Sequence, residues 1–385
     1  MIPYGKQDIS QADIESVIDV LQSDFLTQGP QVPLFEKTVS DYCGAKYGVA
    51  ANSATSALHI ACMALGLGQG DYLWTSPNTF VASANCGLYC GAQVDFVDID
   101  PLTYNLSSEE LEKKLIQAKK DNKLPKIVIP VHFAGQSCDM KKIHSLSQEY
   151  DFKIIEDASH AIGGKYLDKP IGSCLYSDIT VFSFHPVKII TTAEGGLATT
   201  NDKELSERMQ LFRSHGVTRD PELMTKKTEG DWYYQQLGLG FNYRMTELQA
   251  ALGISQMGRL DEFVDMRHEY QKRYDELLRR LPIVTPYQDL DSYSALHLYP
   301  IQIQRNKVKN TRKEIFEALR AAGVGVNVHY IPVHTQPYYK NIGFGEGDYP
   351  NAERYYENAI SIPIFHTMTK GQQDEVCDLL KKVLK

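Results

Sequence analysis

Short apolar, β-branched runs recur along the first half of the chain, and each is followed by a stretch whose apolar positions have helical spacing. Tyr47–Ala51, Tyr72–Thr75, Val94–Asp98, Ile127–His132, Lys153–Asp157 and Ile179–Phe184 are the predicted strands. Strand–helix alternation predicts an α/β fold with a mainly parallel sheet covered by helices on both faces. Ahead of it, Ser10-Gln11-Ala12-Asp13 reads as a capping box opening a short amphipathic helix to about Leu21, and Leu26-Thr27-Gln28-Gly29-Pro30 as a loop. Beyond it, Asp220–Gln236 is polar and carries Trp232, Tyr233 and Tyr234, the pattern of a long loop. A helical pattern runs from about Met245 to Arg280. The remainder mixes strands (Leu296–Ile303, Gly325–Tyr330) with helices (Thr311–Ala322, Gly371–Leu384). The expected organisation is an N-terminal arm (1–25), a large domain (26–250) and a smaller α/β C-terminal domain (251–385).

A chain of 385 residues is long enough for two such domains. Its net charge of −8, without a long basic run, argues against a nucleic-acid groove. No apolar run is long enough to span a bilayer, and Met1–Asp8 lacks an apolar signal core. Seven scattered cysteines, an odd number, point to reduced thiols and a cytoplasmic protein. Cys86 and Cys90 lie four apart in an apolar stretch. No second Cys/His pair has zinc spacing, so packing is expected there and no metal.

Ligands in such sheets bind beyond the carboxyl ends of the strands. Three suggestive segments fall there. Asn52-Ser53-Ala54-Thr55-Ser56 follows a strand and opens a helix, where small residues let N–H groups approach an anion. Asp157 ends a second apolar run. Lys188 follows a third, in Ser183-Phe184-His185-Pro186-Val187-Lys188, with Gly195-Gly196 just beyond. Taken singly, these suit a helix cap, a capping aspartate and a snorkelling lysine. Together they supply an amine that poor solvation makes nucleophilic, a carboxylate for a pyridine nitrogen and a phosphate cradle, which is the requirement of pyridoxal phosphate. Phe80 suits a contact flat against the ring, although a lone phenylalanine more often packs in a core. A nicotinamide oxidoreductase would need Gly-x-Gly-x-x-Gly after the first strand, and the chain has none.

With these residues assembled, the chain resembles the DegT/DnrJ/StrS family of sugar aminotransferases over nearly its full length. Leu26-Thr27-Gln28-Gly29, Asn52–Leu58, Glu156-Asp157-Ala158-Ser159-His160-Ala161, Ser183–Lys188, Gly195-Gly196, Phe212–Gly216, Gly240–Met245 and Val328-His329-Tyr330 carry the resemblance. Trp74–Phe80 and Ile189–Thr192 are most similar to the branch of pseudaminic acid biosynthesis. That branch aminates the C4 keto carbon of a UDP-linked 4-keto-6-deoxy-N-acetylhexosamine. The resemblance implies a fold-type I, pyridoxal 5′-phosphate-dependent transaminase, its sheet of the seven-stranded type, working as a homodimer with shared active sites. It implies Lys188 as covalent anchor of the cofactor, Asp157 at the pyridine nitrogen, His160 near the ring, and Ala54, Thr55 and Ser183 at the phosphate. Asn242 is expected to reach that phosphate from the second subunit, with Arg244 beside it. Tyr4, Asp24, Phe25, Leu26, Thr27, His329 and Tyr330 match positions that contact the nucleotide sugar, and glutamate is the expected amino donor. Asp24 departs from the lysine that some members of that branch carry there, and an acid is a poor neighbour for a diphosphate. A sugar dehydratase of the same family would have histidine in place of Lys188. A silent regulatory member need not retain Lys188, Asp157 and Ser183 together.

Overall fold

The computed structural model describes residues 1–385. Its centre is a seven-stranded sheet of β1 (Tyr47–Ala51), β2 (Tyr72–Thr75), β3 (Gln93–Phe96), β4 (Ile127–Ile129), β5 (Lys153–Asp157), β6 (Ile179–Ser183) and β7 (Gly196–Thr200). The strand order is β1-β7-β6-β5-β4-β2-β3. Strand β7 runs antiparallel to both neighbours, and the other pairs are parallel. The sequence reading did not include β7. Gly-Leu-Ala-Thr-Thr has neither a long apolar run nor a clean alternation, because both of its faces are buried. The parallel strands are apolar through most of their length, so helices must cover both faces.

Helix α1 (Gln11–Leu21) opens on the predicted capping box. Ser10 Oγ accepts from Asp13 N–H at 3.2 Å, and Asp13 Oδ2 accepts from Ser10 N–H at 2.8 Å. The Asp13 carboxylate is fully buried and also accepts from Ser255 (2.6 Å), Gln256 (2.7 Å) and Arg259 (2.7 Å), while Arg259 Nη1 holds Asp8 at 2.5 Å. This network pins the arm to the start of the C-terminal half. Arg259→Ala leaves a buried carboxylate short of its cation. It is expected to lower stability by about 2 kcal/mol, read as a reduced denaturant midpoint at unchanged slope.

Helix α2 (Gln31–Cys43) precedes β1, α3 (Ala54–Ala64) follows it, and α4 (Ala82–Tyr89) follows β2. The helical pattern from Met245 to Arg280 resolves into two helices, α5 (Glu247–Met257) and α6 (Leu260–Leu278), separated at Gly258-Arg259. Helix α6 serves two cores. Leu260, Phe263 and Val264 pack under the large sheet, and Tyr270, Tyr274 and Leu278 pack in the C-terminal core. That second core surrounds an antiparallel sheet of β8 (Ile283–Val284), β9 (Tyr299–Ile303) and β10 (Ala359–Ile362), with helices at Arg312–Ala321 and Lys370–Val383.

Two expectations need correction. Strand β9 starts at Tyr299 rather than Leu296. Leu296 adopts a left-handed backbone (φ 50°), and buried Arg267 donates to the carbonyls of Leu296 (3.1 Å), His297 (3.2 Å) and Ile364 (3.0 Å). Gly325–Tyr330 is not a strand. It makes only an isolated bridge, Asn327 to Ser361, and Tyr330 N–H is held by the Asn78 side chain at 3.2 Å instead of by a neighbouring strand. The segment departs from the sheet to line the cavity described below. The long polar loop is closed at its base by pairing of Val217–Thr218 with Gln235–Gln236. No helix is long and apolar enough to cross a membrane.

Candidate active site

The carboxyl ends of β1, β5 and β6 open onto one cavity of about 1000 Å³. Its wall includes Tyr4, Ser53, Ala54, Thr55, Phe80, Asp157, His160, Ser183, Lys188, His329 and Tyr330. These positions lie far apart in the chain and are gathered by the parallel topology.

Lys188 is half-buried, in the turn after β6. Burial pulls its ammonium down to about 8, and the Asp157 carboxylate opposes that fall. Near neutrality the neutral amine is therefore a minor fraction but far larger than for an ordinary lysine, which favours nucleophilic and base chemistry. Asp157 is 5% exposed. Its Oδ2 accepts from the Ser83 hydroxyl at 2.6 Å and its Oδ1 from Ser159 N–H at 3.1 Å. Ser83, itself fully buried on α4, is paired with Thr79 at 2.8 Å. Two donors thus fix the carboxylate while leaving acceptor capacity free.

Burial pushes the imidazoles of His160, His297 and His329 toward the neutral form. Burial, followed by the Lys188 and His329 charges, holds His160 well below its ordinary range; burial and Lys188 hold His329 at about 3. Ala134 N–H donates to His160 Nδ1 at 3.3 Å, so the proton sits on Nε2, which donates to the Tyr330 hydroxyl at 3.1 Å. His329 Nδ1 pairs with Ser361 at 2.9 Å. His297 also lines the cavity, with its ring centroid 4.4 Å from that of His160 and its buried Nδ1 unpartnered.

The start of α3 has the form of an anion cradle. Ser53 is its N-cap and accepts from Ser56 N–H at 3.1 Å, while the first N–H groups of the helix have no intrahelical partner. Gly196 of β7 backs this turn so closely that a Cβ there would collide with the backbone of Ser53 and Ala54. An amine, a fixed carboxylate and a helix start whose backbone a single methyl group on Gly196 would displace together fit pyridoxal 5′-phosphate. Gly196→Ala is expected to weaken cofactor binding by about tenfold or more, measured by fluorescence titration of the apoprotein. Unchanged affinity would remove the cradle from the argument.

On the wall, Phe80 is 60% exposed, with its ring centroid 6.5 Å from that of Tyr330. Other expected residues lie off the wall. Asp24, Phe25, Leu26 and Thr27 form an exposed loop after α1, tied to α5 by Glu247 N–H donating to the Leu26 carbonyl at 3.0 Å. Asn242 is exposed and Arg244 half-buried, and both lie off the wall. Sequence reasoning missed Ser83 and His297. Ser83 sits among small residues that read as packing, and its partner is 74 residues away. His297 belongs to no periodic pattern. No cluster of three His, Cys, Asp or Glu side chains is placed to hold a metal ion.

The profile of the DegT/DnrJ/EryC1/StrS aminotransferase family matches residues 7–381. The spore coat polysaccharide biosynthesis protein SpsC of Bacillus subtilis (strain 168) is 38% identical, covering 100% of this chain and 97% of the relative. The UDP-4-amino-4,6-dideoxy-N-acetyl-beta-L-altrosamine transaminase of Campylobacter jejuni (strain 81-176) is 37% identical over 100% and 99%. Among solved structures, Helicobacter pylori PseC, an aminotransferase involved in pseudaminic acid biosynthesis, superposes with a TM-score of 0.91 at 31% identity, covering 100% of this chain and 99% of that one. The putative sugar aminotransferase Spr1654 of Streptococcus pneumoniae, PLP-form, gives 0.90 at 30% identity over 100% of both chains.

Proposed function

The chain belongs to the DegT/DnrJ/EryC1/StrS aminotransferase family, and from that premise we propose that it moves the amino group of glutamate to the C4 keto carbon of a UDP-linked 4-keto-6-deoxy-N-acetylhexosamine, a step of pseudaminic acid biosynthesis. It is a pyridoxal 5′-phosphate-dependent sugar aminotransferase. The observation that carries the reading is Lys188 and Asp157 facing one cavity, the first with a depressed ammonium and the second fixed by two donors. Likeness to the Campylobacter transaminase over the whole chain supports UDP and C4.

The cofactor, when bound, supplies an aldehyde to carry the amino group and a ring that accepts electrons from the reacting carbon. Ala54, Thr55 and Ser183 would hold its phosphate, and Asp157 would keep its ring nitrogen protonated. The neutral Nζ of Lys188 takes the proton from the α-carbon of the donor. In the second half of the cycle the same atom returns a proton to the sugar carbon. One amine on one wall serves both transfers, which fixes the face of addition. Neutral His160 and His329 bring no charge to compete with the Lys188 amine for protons.

Both substrates are anionic, yet the cavity wall carries no arginine and no lysine besides Lys188. This favours a homodimer in which a second copy brings cations and Asn242 and Arg244 to the site. Reduced thiols and the nucleotide-sugar substrate suit the cytoplasm. The test incubates the enzyme with glutamate and a panel of UDP- and dTDP-linked sugars bearing the keto group at C3 or C4, with products identified by mass and NMR. Amination of the UDP-linked C4 keto sugar alone supports the reading. Preference for a dTDP-linked or C3 keto sugar overturns the substrate while keeping the transamination.

A further inference from the structure

Three buried imidazoles line the cavity, and two of them are already committed. His160 uses both ring nitrogens, Nδ1 with Ala134 N–H and Nε2 with the Tyr330 hydroxyl. His329 also uses both, Nδ1 with Ser361 at 2.9 Å and Nε2 with the Asn327 side chain at 3.4 Å. His297 uses neither. Its Nδ1 is sealed from solvent without a partner, and Nε2, equally unpartnered, is the nitrogen left to the cavity. The residue is only 4% exposed, so bulk water does not satisfy the ring. Leaving such a group unpaired is destabilising, and proteins keep few of them. Of the unpartnered buried side-chain nitrogens and oxygens of this chain, only that of His297 belongs to a residue of the cavity wall.

Main-chain bonds put the ring there. Arg267 holds the carbonyls of Leu296 and His297. Ala295 N–H donates to the Gly135 carbonyl at 3.0 Å, and Leu298 N–H to that of Ala134 at 3.4 Å. Gly135 has a φ of +103°, and a Cβ on it would meet Leu296 N at 2.7 Å and the His160 carbonyl oxygen at 3.0 Å. Glycine thus lets the two segments close on one turn, and the His160 and His297 ring centroids come within 4.4 Å. The backbone of His297 is firmly held while its ring nitrogens stay free.

We propose, on the aminotransferase reading, that His297 binds the sugar hydroxyl beside the keto carbon and so determines which sugars are aminated. In the proposed substrate C1 carries the nucleotide, C2 the acetamido group and C4 the ketone, and C6 is deoxygenated. The C3 hydroxyl is then the one free hydroxyl of the sugar, and it adjoins the reacting carbon. That carbon must come to Lys188, while the bulky nucleotide needs the solvent side of the cavity, where Phe80 is exposed. A buried nitrogen of the inner wall therefore meets the substituents next to C4. A hydroxyl both donates and accepts, so it pairs with a neutral imidazole in either tautomer. Burial, followed by His160 and Lys188, holds His297 well below its ordinary range. A neutral ring is a poor site for the carboxylates of glutamate, which call for cations.

The experiment compares the UDP-linked 4-keto sugar with its 3-deoxy analogue, in native holoenzyme and in His297→Ala. The native enzyme should lose about 10- to 100-fold in kcat/KM on the deoxy sugar, because a buried nitrogen then stays unpaired. His297→Ala should lose about as much on the hydroxy sugar and separate the two sugars by less than about twofold. His297→Gln, whose amide reaches toward the position of Nε2, should regain part of the discrimination. The glutamate half-reaction, followed without sugar by the absorption of the bound cofactor, should change by less than about threefold in both variants. A merely structural role would slow both half-reactions alike. That result, retained discrimination by His297→Ala, or a native enzyme indifferent to the deoxy sugar overturns the proposal. If the sugar panel selects another keto sugar, the analogue used is the one lacking the hydroxyl beside its ketone. A native enzyme that aminates no keto sugar fails the aminotransferase reading itself, and the proposal falls with it before any variant is compared.

Discussion

Lys188→Ala is expected to lower turnover by about 10³- to 10⁴-fold, the scale of a lost general base acting at a reacting carbon, while the fold survives. No side-chain hydrogen bond or ion pair ties the Lys188 amine to the protein, so its removal orphans no buried partner. Melting should be nearly unchanged, and the variant should lose reductive trapping of the cofactor at position 188. The pH dependence has a definite sign. Burial depresses the ammonium to about 8, so below that pH the group is mostly protonated and cannot accept a proton, and above it the amine is free. The rate at which apoprotein captures cofactor covalently should rise with pH through about 8, not through the ordinary lysine range near ~10.4. A small exogenous amine should restore part of the lost turnover in the variant. Full activity in Lys188→Ala, or a capture rate indifferent to pH between about 7 and 9, would remove Lys188 from its role.

The candidate catalytic residues were legible because their type was unusual for their setting. A lysine after an apolar strand, an aspartate ending another, and a run of small hydroxyl residues opening a helix each break the expected pattern of a buried sheet. The parallel topology then carries all three to one edge, and the structure brings Ala54, Thr55, Asp157, His160, Ser183 and Lys188 to one cavity. The supporting residues gave no such signal. Ser83 resembles its neighbours Ala82 and Ala84, and nothing local reveals that its hydroxyl meets a carboxylate on a strand in the middle of the sheet. His297 is positioned by the Leu296 turn and the Arg267 strut, contacts of a residue 30 positions earlier. Strand β7 was invisible as a strand because its glycine is there for clearance against Ser53 and Ala54 and its threonines bond inward, as Thr199 does to the Gly172 carbonyl at 2.8 Å.

The misread segment at Gly325–Tyr330 has the same origin. Its β-branched composition suits a strand, but its hydrogen bonds are divided among Ile2, Ser361 and the Asn78 side chain, so no ladder forms. A segment released from the sheet can place His329 and Tyr330 against the cavity, 5.0 Å apart between ring centroids. The N-terminal arm is recruited by the same segment. Gly325 N–H donates to the Ile2 carbonyl, and Tyr4 comes to lie 5.6 Å from the His329 ring. Local propensity and the site pull in different directions there, and the site prevails.

Asp157→Asn should cost about 10²- to 10³-fold in kcat while changing cofactor affinity far less. The amide retains the shape of the carboxylate and can still accept from Ser83, so the site stays built. What is lost is the charge. Asp157 is the one buried carboxylate on the cavity wall; Glu194, the other acid there, is 61% exposed at the side chain. A buried carboxylate beside a protonated ring nitrogen shifts that nitrogen by about two to three pKa units, each worth about 1.36 kcal/mol, which gives the expected loss in rate. The proposed phosphate cradle of α3 and Ser183 is untouched, so retention of the cofactor should hold. A second readout separates lost charge from a damaged site. The Asp157 carboxylate raises the Lys188 ammonium against burial, so in Asp157→Asn that ammonium must fall below about 8. The pH profile for covalent capture of cofactor should therefore move to lower pH, although turnover has dropped. A site merely distorted would lose rate without that displacement, and a profile that stays in place or moves upward contradicts a charged Asp157 facing Lys188 across the cavity.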